Sequence, residues 1–225
     1  MDMKRSELAG RIDHTILGPK TTREGVRILC QEAVQHATAS ACVDPCYARI
    51  ANEVLGGSSV KLCVVIGFPS GMTSTQAKAF EAKQAIADGA DELDMVVNVG
   101  ALTDKEDDYV REDIAAVCQV AKAADRPVHV KVILETALLT DEEKARGARL
   151  AVEAGADFVK TSTGFGPGGA TVEDVALLRR TVGPDVGVKA SGGIRDFETA
   201  MAMIEAGASR IGASRTIAIL EGAEA

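Results

Sequence analysis

Tryptophan is absent from the 225 residues, and only 3% of them are aromatic. A core must therefore be filled with Val, Ile, Leu and Ala, which suits short buried strands. Basic residues are also in deficit, because 25 Lys and Arg face 33 Asp and Glu, for a net charge of −8. Nucleic acid and acidic membrane surfaces are poor partners for such a chain, since phosphate backbones demand a basic face. A small anionic substrate can still be caught by local residues. No apolar run approaches the length of a membrane span. The start, Met1-Asp2-Met3-Lys4-Arg5-Ser6-Glu7-Leu8, carries charges where a signal peptide needs an apolar stretch. The five cysteines, an odd number, make no disulfide framework, and the three histidines lack metal-ligand spacing. A reducing compartment, the cytoplasm, fits these features.

What is present is an alternation. Short apolar runs at 12–17, 40–43, 61–66, 92–97, 128–134, 158–161, 186–190 and 210–212 read as strands. Helical patterns fall between them, and a lead-in helix over 6–10 precedes them. The Thr21-Thr22-Arg23-Glu24 and Thr140-Asp141-Glu142-Glu143 stretches have the spacing of capping boxes, and Thr73-Ser74-Thr75-Gln76 caps a third helix. Pro45 suits the first turn of a helix, and a long helix is expected over 105–124. Three echoes, Ala87-Asp88-Gly89-Ala90, Glu153-Ala154-Gly155-Ala156 and Glu205-Ala206-Gly207-Ala208, each end a helix and introduce a strand. Alternating strands and helices imply a parallel sheet. Eight such units in one domain over 1–225 fit an α/β fold, a single (β/α)8 TIM barrel. An open doubly wound sheet would place a Gly-rich turn after the first strand, where Gly18-Pro19-Lys20 stands.

Active sites of such barrels sit at the C-terminal ends of the strands. Asp13, Cys42, Asp94, Lys131, Lys160 and Lys189 all fall within or near predicted strands. Lys160 interrupts Phe158-Val159 and is followed by a hydroxyl- and glycine-rich loop containing Thr163 and Gly164. At the ordinary lysine pKa of about 10.4, roughly one amine in a few thousand is neutral at pH 7. Burial and a second cation, Lys189 on the next strand, both favour the neutral nucleophile. The alternative is an ion pair between Lys160 and a carboxylate. Asp94 could relay a proton, or only balance Lys131 or Lys189. Asp13 and Thr15 could orient substrate or the lysines, Cys42 suits a pocket wall, and His14 reads as structural. Gly192-Gly193 after the seventh strand and Ser214-Arg215 after the eighth lie where barrels often bind phosphate; taken singly, either is also an ordinary turn.

The chain resembles the deoxyribose-phosphate aldolase family of the DeoC type. The motifs are Ile12-Asp13-His14-Thr15, Glu92-Leu93-Asp94-Met95-Val96-Val97-Asn98, Val130-Lys131-Val132-Ile133-Leu134-Glu135-Thr136, Phe158-Val159-Lys160-Thr161-Ser162-Thr163-Gly164 and Val188-Lys189-Ala190-Ser191-Gly192-Gly193-Ile194-Arg195. The resemblance implies a Schiff-base (class I) aldolase that reversibly cleaves 2-deoxy-D-ribose 5-phosphate to acetaldehyde and D-glyceraldehyde 3-phosphate. Lys160 would form the imine, Lys189 would lower its pKa, and Asp94 would relay protons. Asp13, Thr15, Cys42, Lys131, Thr163, Gly164, Gly192, Gly193, Ser214 and Arg215 would contact substrate. No metal or organic cofactor is implied. The implied partners are a sugar phosphate and an aldehyde, with no nucleic acid or membrane, and a homo-oligomer is compatible. Another Schiff-base sugar-phosphate aldolase, a phosphate-binding barrel isomerase and an inactive metabolite binder are the competing readings. Phe165 stands where some members carry lysine, and Arg215 where some carry a second serine. The ending Glu221-Gly222-Ala223-Glu224-Ala225 lacks the tyrosine-ended tail of some relatives.

Overall fold

The computed structural model describes residues 3–223; the predicted features at Met1, Asp2, Glu224 and Ala225 lie outside the described residues. Eight parallel strands close into a barrel in sequential order. They are β1 (Ile12–Thr15), β2 (Ser40–Val43), β3 (Lys61–Ile66), β4 (Glu92–Val96), β5 (His129–Ile133), β6 (Phe158–Lys160), β7 (Gly187–Ser191) and β8 (Arg210–Ala213). The helices are α1 (Arg5–Ala9), α2 (Arg23–His36), α3 (Ala48–Leu55), α4 (Thr75–Ala87), α5 (Val99–Thr103), α6 (Asp107–Lys122), α7 (Asp141–Glu153), α8 (Val172–Val182), α9 (Phe197–Glu205) and α10 (Thr216–Glu221). The barrel of the sequence reading is thus the observed fold, and β1 pairs with β8 to leave no open edge.

The three glycine echoes are one device used three times. Gly89, Gly155 and Gly207 all have positive φ (112°, 92° and 115°). At each, the alanine that follows bonds back to the third-last helical carbonyl: Ala90 to Ala85 at 2.9 Å, Ala156 to Ala151 at 3.0 Å and Ala208 to Met203 at 2.9 Å. This is a Schellman closure, and it turns each helix sharply into the next strand. Helix starts are less uniform. Thr140 and Glu143 form the expected reciprocal cap on α7. On α2 the cap falls one residue later than expected: Thr22 accepts from the Gly25 N–H, so no glutamate returns the bond. The segment after Pro45 is first a 3-10 turn and only then α3. The long helix expected over 105–124 is α6, and an unexpected short helix, α5, precedes it.

Side chains alternate along each strand between the helices and the barrel interior. The outward set, including Leu93, Met95, Val132, Val159, Val188 and Ile211, is fully buried against the helices and forms the main core. The inward set contains little ordinary hydrocarbon. Cys42, Cys63 and Val65 form a small apolar cluster with Leu17 and Phe68 against it. The rest of the inward positions that matter are charged. Outside the barrel, a fully buried Lys78–Asp113 pair (2.6 Å) joins α4 to α6. Lys78 also donates to the Val96 carbonyl at 3.0 Å, which fixes the C-terminal end of β4.

Candidate active site

Strand register gathers the chemistry-bearing residues. Lys160 and Lys189 are partners across β6 and β7, and Asp94 and Lys131 are partners across β4 and β5. Partners on adjacent strands project to the same side, so all four side chains enter one interior layer. Asp94 is its centre. One carboxylate oxygen accepts from Lys160 Nζ and from Lys189 Nζ, each at 2.7 Å, and the other accepts from Lys131 Nζ at 2.8 Å. The two Nζ atoms of Lys160 and Lys189 are thus no further apart than these two bonds laid end to end.

A second ring surrounds this centre. Lys189 Nζ lies 2.5 Å from Asp13, and Lys131 Nζ lies 2.6 Å from Glu92 and 3.6 Å from Asp13. Arg210 reaches in from the start of β8 to Asp13 (2.7 Å) and Glu92 (3.2 Å), with its guanidinium 5.5 Å from the centre of the Phe158 ring. Cys63 donates to Asp94 at 3.2 Å and accepts from Lys131 at 3.4 Å. Gly212 makes room for this packing: a Cβ there would come within 3.0 Å of Lys189 Cε. Glu92, Arg210 and Cys63 are members that the sequence reading missed. Glu92 shares the parity of Asp94, two residues along the strand, and that was the available signal.

Burial alone would raise the Asp94 carboxyl, but Lys131, Lys160 and Lys189 outweigh it and hold the group well below the usual carboxylate range. Asp13 is likewise lowered: burial opposes, and Lys189, Lys131 and Arg210 prevail. Burial disfavours the charge on Lys189 and Lys131, yet the surrounding carboxylates push both above the ordinary lysine value. Carboxylates depressed on folding stabilise the fold above their unfolded pKa of about 3.9, and lose that contribution as pH falls below it. Lysines raised on folding contribute below about 10.4 and lose it as pH rises further. The melting temperature is therefore expected to hold between these limits and to drop on both sides, measurable by calorimetry across pH. A decline of cluster origin already under way between pH 8 and 6 would contradict these ion pairs.

Above the charged layer opens a pocket of about 290 Å³. Its walls are the ends of β1 (Thr15, Leu17), the β6 loop (Thr163 to Phe165), the β7 loop (Ser191 to Arg195) and the β8 end (Gly212 to Ser214). Lys160 reaches it from below while remaining only 3% exposed. Thr15, Thr163, Gly164, Gly192, Gly193 and Ser214 line it as well, so the structure brings these together with Lys160. Gly192 and Gly193 both have positive φ (86° and 82°), a succession that a side chain would strain.

Other expected contacts fall elsewhere. Asp13, Cys42 and Lys131 are fully buried beneath the pocket, not in its wall, because their neighbours in the charged and thiol layers hold them there. Asp94 and Lys189 are also fully buried below the pocket, where both meet Lys160 at the Asp94 carboxylate. Arg215 is exposed at the start of α10 and is not part of the wall; the guanidinium in the wall is that of Arg195. Phe165 stands in the wall, 52% exposed, edge-on to Phe68 at 5.4 Å. His14 faces outward, bonded to Thr216 (2.8 Å) and Glu32 (2.9 Å).

Two sets, Cys42–Cys63–Asp94 and Asp13–Cys63–Glu92, have donor atoms close enough to share an ion. Lys131 Nζ already sits among these donors, so the arrangement suits an ammonium better than a divalent cation.

A closed parallel barrel with a buried amine at the floor of its C-terminal pocket is the framework of a lysine-dependent barrel enzyme. The chain belongs to the DeoC/LacD aldolase family, whose model matches residues 8–222. It is 57% identical over 216 residues to deoxyribose-phosphate aldolase 1 of Bacillus licheniformis, covering 96% of each chain. It is 55% identical over 223 residues to the deoxyribose-phosphate aldolase of Thermococcus kodakarensis, covering 98% of this chain and 99% of the other. Among solved structures, the deoxyribose phosphate aldolase of Aeropyrum pernix, described as a unique tetramer, superposes with a TM-score of 0.90 at 37% identity, over 96% of this chain and 91% of that one.

Proposed function

We propose that the chain is a Schiff-base aldolase that reversibly cleaves 2-deoxy-D-ribose 5-phosphate to acetaldehyde and D-glyceraldehyde 3-phosphate. The observation that carries this reading is the position of Lys160 Nζ at the pocket floor, sharing one Asp94 oxygen with Lys189.

Charge balance supports Lys160 as the nucleophile. Among the described residues, the carboxylates that Lys131, Lys160, Lys189 and Arg210 meet in the buried layer are Asp13, Glu92 and Asp94. Lys131 has three carboxylates within 4 Å and Lys189 has two. Lys160 has one, already shared with Lys131 and Lys189. An uncharged amine at Lys160 leaves three cations against three anions, and burial makes any surplus charge costly. Lys189, held as a cation, opposes a second positive charge beside it.

The reaction then follows from the chemistry of an imine. The Lys160 amine adds to the C1 aldehyde of the open sugar and water leaves. The protonated imine draws the electron pair of the breaking C2–C3 bond into an enamine, while the C3 hydroxyl gives up its proton and C3 becomes the aldehyde carbon of the triose phosphate. Protonation at C2 and hydrolysis release acetaldehyde. Asp94 and Lys189 lie below the pocket, so their part in proton movement runs through Lys160 or an admitted water rather than by direct contact. Gly192, Gly193, Ser214 and Arg195 would receive the phosphate, whose binding energy positions the reacting carbons.

The enzyme would work as one barrel unit over 1–225, without cofactor, in the breakdown of deoxyribonucleotides in the cytoplasm. The free cysteines agree with a reducing environment. A homo-oligomer is in keeping with exposed Met72 and Phe80 and with the tetramer described for the Aeropyrum pernix relative. Product analysis tests the substrate: 2-deoxyribose 5-phosphate should yield acetaldehyde and a triose phosphate. Failure on that sugar, with cleavage of another sugar phosphate, would shift the assignment to a different Schiff-base aldolase.

A further inference from the structure

Glu135 follows the last residue pairs of β5 and takes a left-handed backbone (φ 58°, ψ 61°) that is unfavourable for any residue with a Cβ. Its neighbours stay laddered to β6: Leu134 N–H bonds Lys160 O at 3.0 Å and Thr136 N–H bonds Thr161 O at 2.9 Å. The kink between these two rungs turns the Glu135 side chain toward the loop beyond Lys160. Glu135 is 4% exposed, and among the described residues its side chain hydrogen-bonds only to Thr163. It accepts from the Thr163 hydroxyl at close range and from the Thr163 N–H at 3.3 Å. Thr163 Oγ1 in turn accepts from Phe165 N–H at 3.0 Å. Gly166 passes so near that a Cβ there would lie 2.9 Å from the Glu135 carboxyl carbon.

Strain of this kind persists where surrounding structure demands it, and it gathers at functional sites. Here the strained residue holds the loop whose next three residues, Thr163 to Phe165, form one wall of the pocket. On the far side of that wall lies a second cavity of about 330 Å³, bordered by Glu135, Thr163 and Phe165. Without an anchor the wall has open space behind it. Lys160 itself is fixed differently, by the β-ladder.

We infer that Glu135 is a positioning residue: its buried carboxylate clamps Thr163 and so sets the pocket wall that meets the sugar phosphate, without acting on the imine chemistry. This rests on the aldolase reading above. The two roles separate in experiment. Acetaldehyde is too small to need the wall, whereas 2-deoxyribose 5-phosphate spans the pocket.

The test compares wild type, Glu135→Ala and Glu135→Gln. In Glu135→Ala the KM for 2-deoxyribose 5-phosphate should rise by about tenfold or more, as expected when positioning is lost. Borohydride-trapped acetaldehyde adduct on Lys160 should form at a rate within about threefold of wild type. Glu135→Gln keeps an amide oxygen able to accept from Thr163 and should recover most of the KM. Should Glu135→Ala fail to fold, Glu135→Gly relieves the left-handed strain while also removing the clamp, and carries the same comparison. An unchanged KM, a trapping rate that falls together with turnover, or a Gln variant no better than Ala would each overturn the inference. Wild type serves as the control for the underlying reading: if it forms no adduct, the aldolase assignment fails first.

Discussion

Lys160→Ala should abolish cleavage of 2-deoxyribose 5-phosphate, with kcat/KM reduced by at least about four orders of magnitude, as when a covalent nucleophile is removed. The fold should survive. Asp94 keeps Lys131 and Lys189 as partners, each within 2.8 Å, so no buried carboxylate is stranded. The remaining layer has as many cations as anions. The lost methylenes lie under an open pocket rather than in packed core, so water can enter the space. The melting temperature is expected to stay within a few degrees of wild type. A variant that retains turnover would show that Lys160 is only an ion-pair partner.

Lys189→Leu should change the pH dependence as well as the rate. The substitution removes a cation 2.7 Å from Asp94 and 2.5 Å from Asp13. The freed Asp94 charge then bears more heavily on Lys160 and stabilises its ammonium form, which cannot attack a carbonyl. Imine formation should therefore be suppressed near neutrality and recover as pH rises. Stability should fall by about 3–5 kcal/mol, the usual cost of breaking a buried pair from one side. Asp13 keeps Arg210 at 2.7 Å, which limits the loss. Rates of adduct formation measured from pH 6 to 10 read the shift. An unchanged profile in a folded variant would remove Lys189 from the charge argument.

Much of the architecture was legible because it rests on local signals. Val- and Ile-rich runs of strand length, separated by helical patterns and closed by glycine at Gly89, Gly155 and Gly207, leave few alternatives to a parallel barrel. Where local signals conflict, boundaries shifted. Gly100 weakens the helical pattern of α5, and two adjacent threonines, Thr21 and Thr22, compete for the start of α2.

The candidate site was legible in part for a different reason. A lysine within an apolar strand is conspicuous, so Lys131, Lys160 and Lys189 stand out, as does Asp94. What they touch depends on register, which is a property of the closed barrel. Arg210 and Asp13 are 197 positions apart, and Cys63 meets Asp94 across a strand pair whose stagger no local pattern encodes. The same reasoning explains why Cys42 was expected in the pocket wall, and Asp13 and Lys131 in contact with substrate. Strand parity points them inward, but only the barrel tilt and the strand lengths decide that they lie a layer too deep. Glu135 carries no local sign of a left-handed backbone, since glutamate rarely adopts one.

The most direct test of the whole assignment is chemical. The wild-type protein is incubated with acetaldehyde and borohydride, digested, and the modified peptide mapped by mass spectrometry. A reduced two-carbon adduct on Lys160, absent from the Lys160→Ala variant, is expected. No adduct, or one on another lysine with Lys160 unmodified, would contradict it.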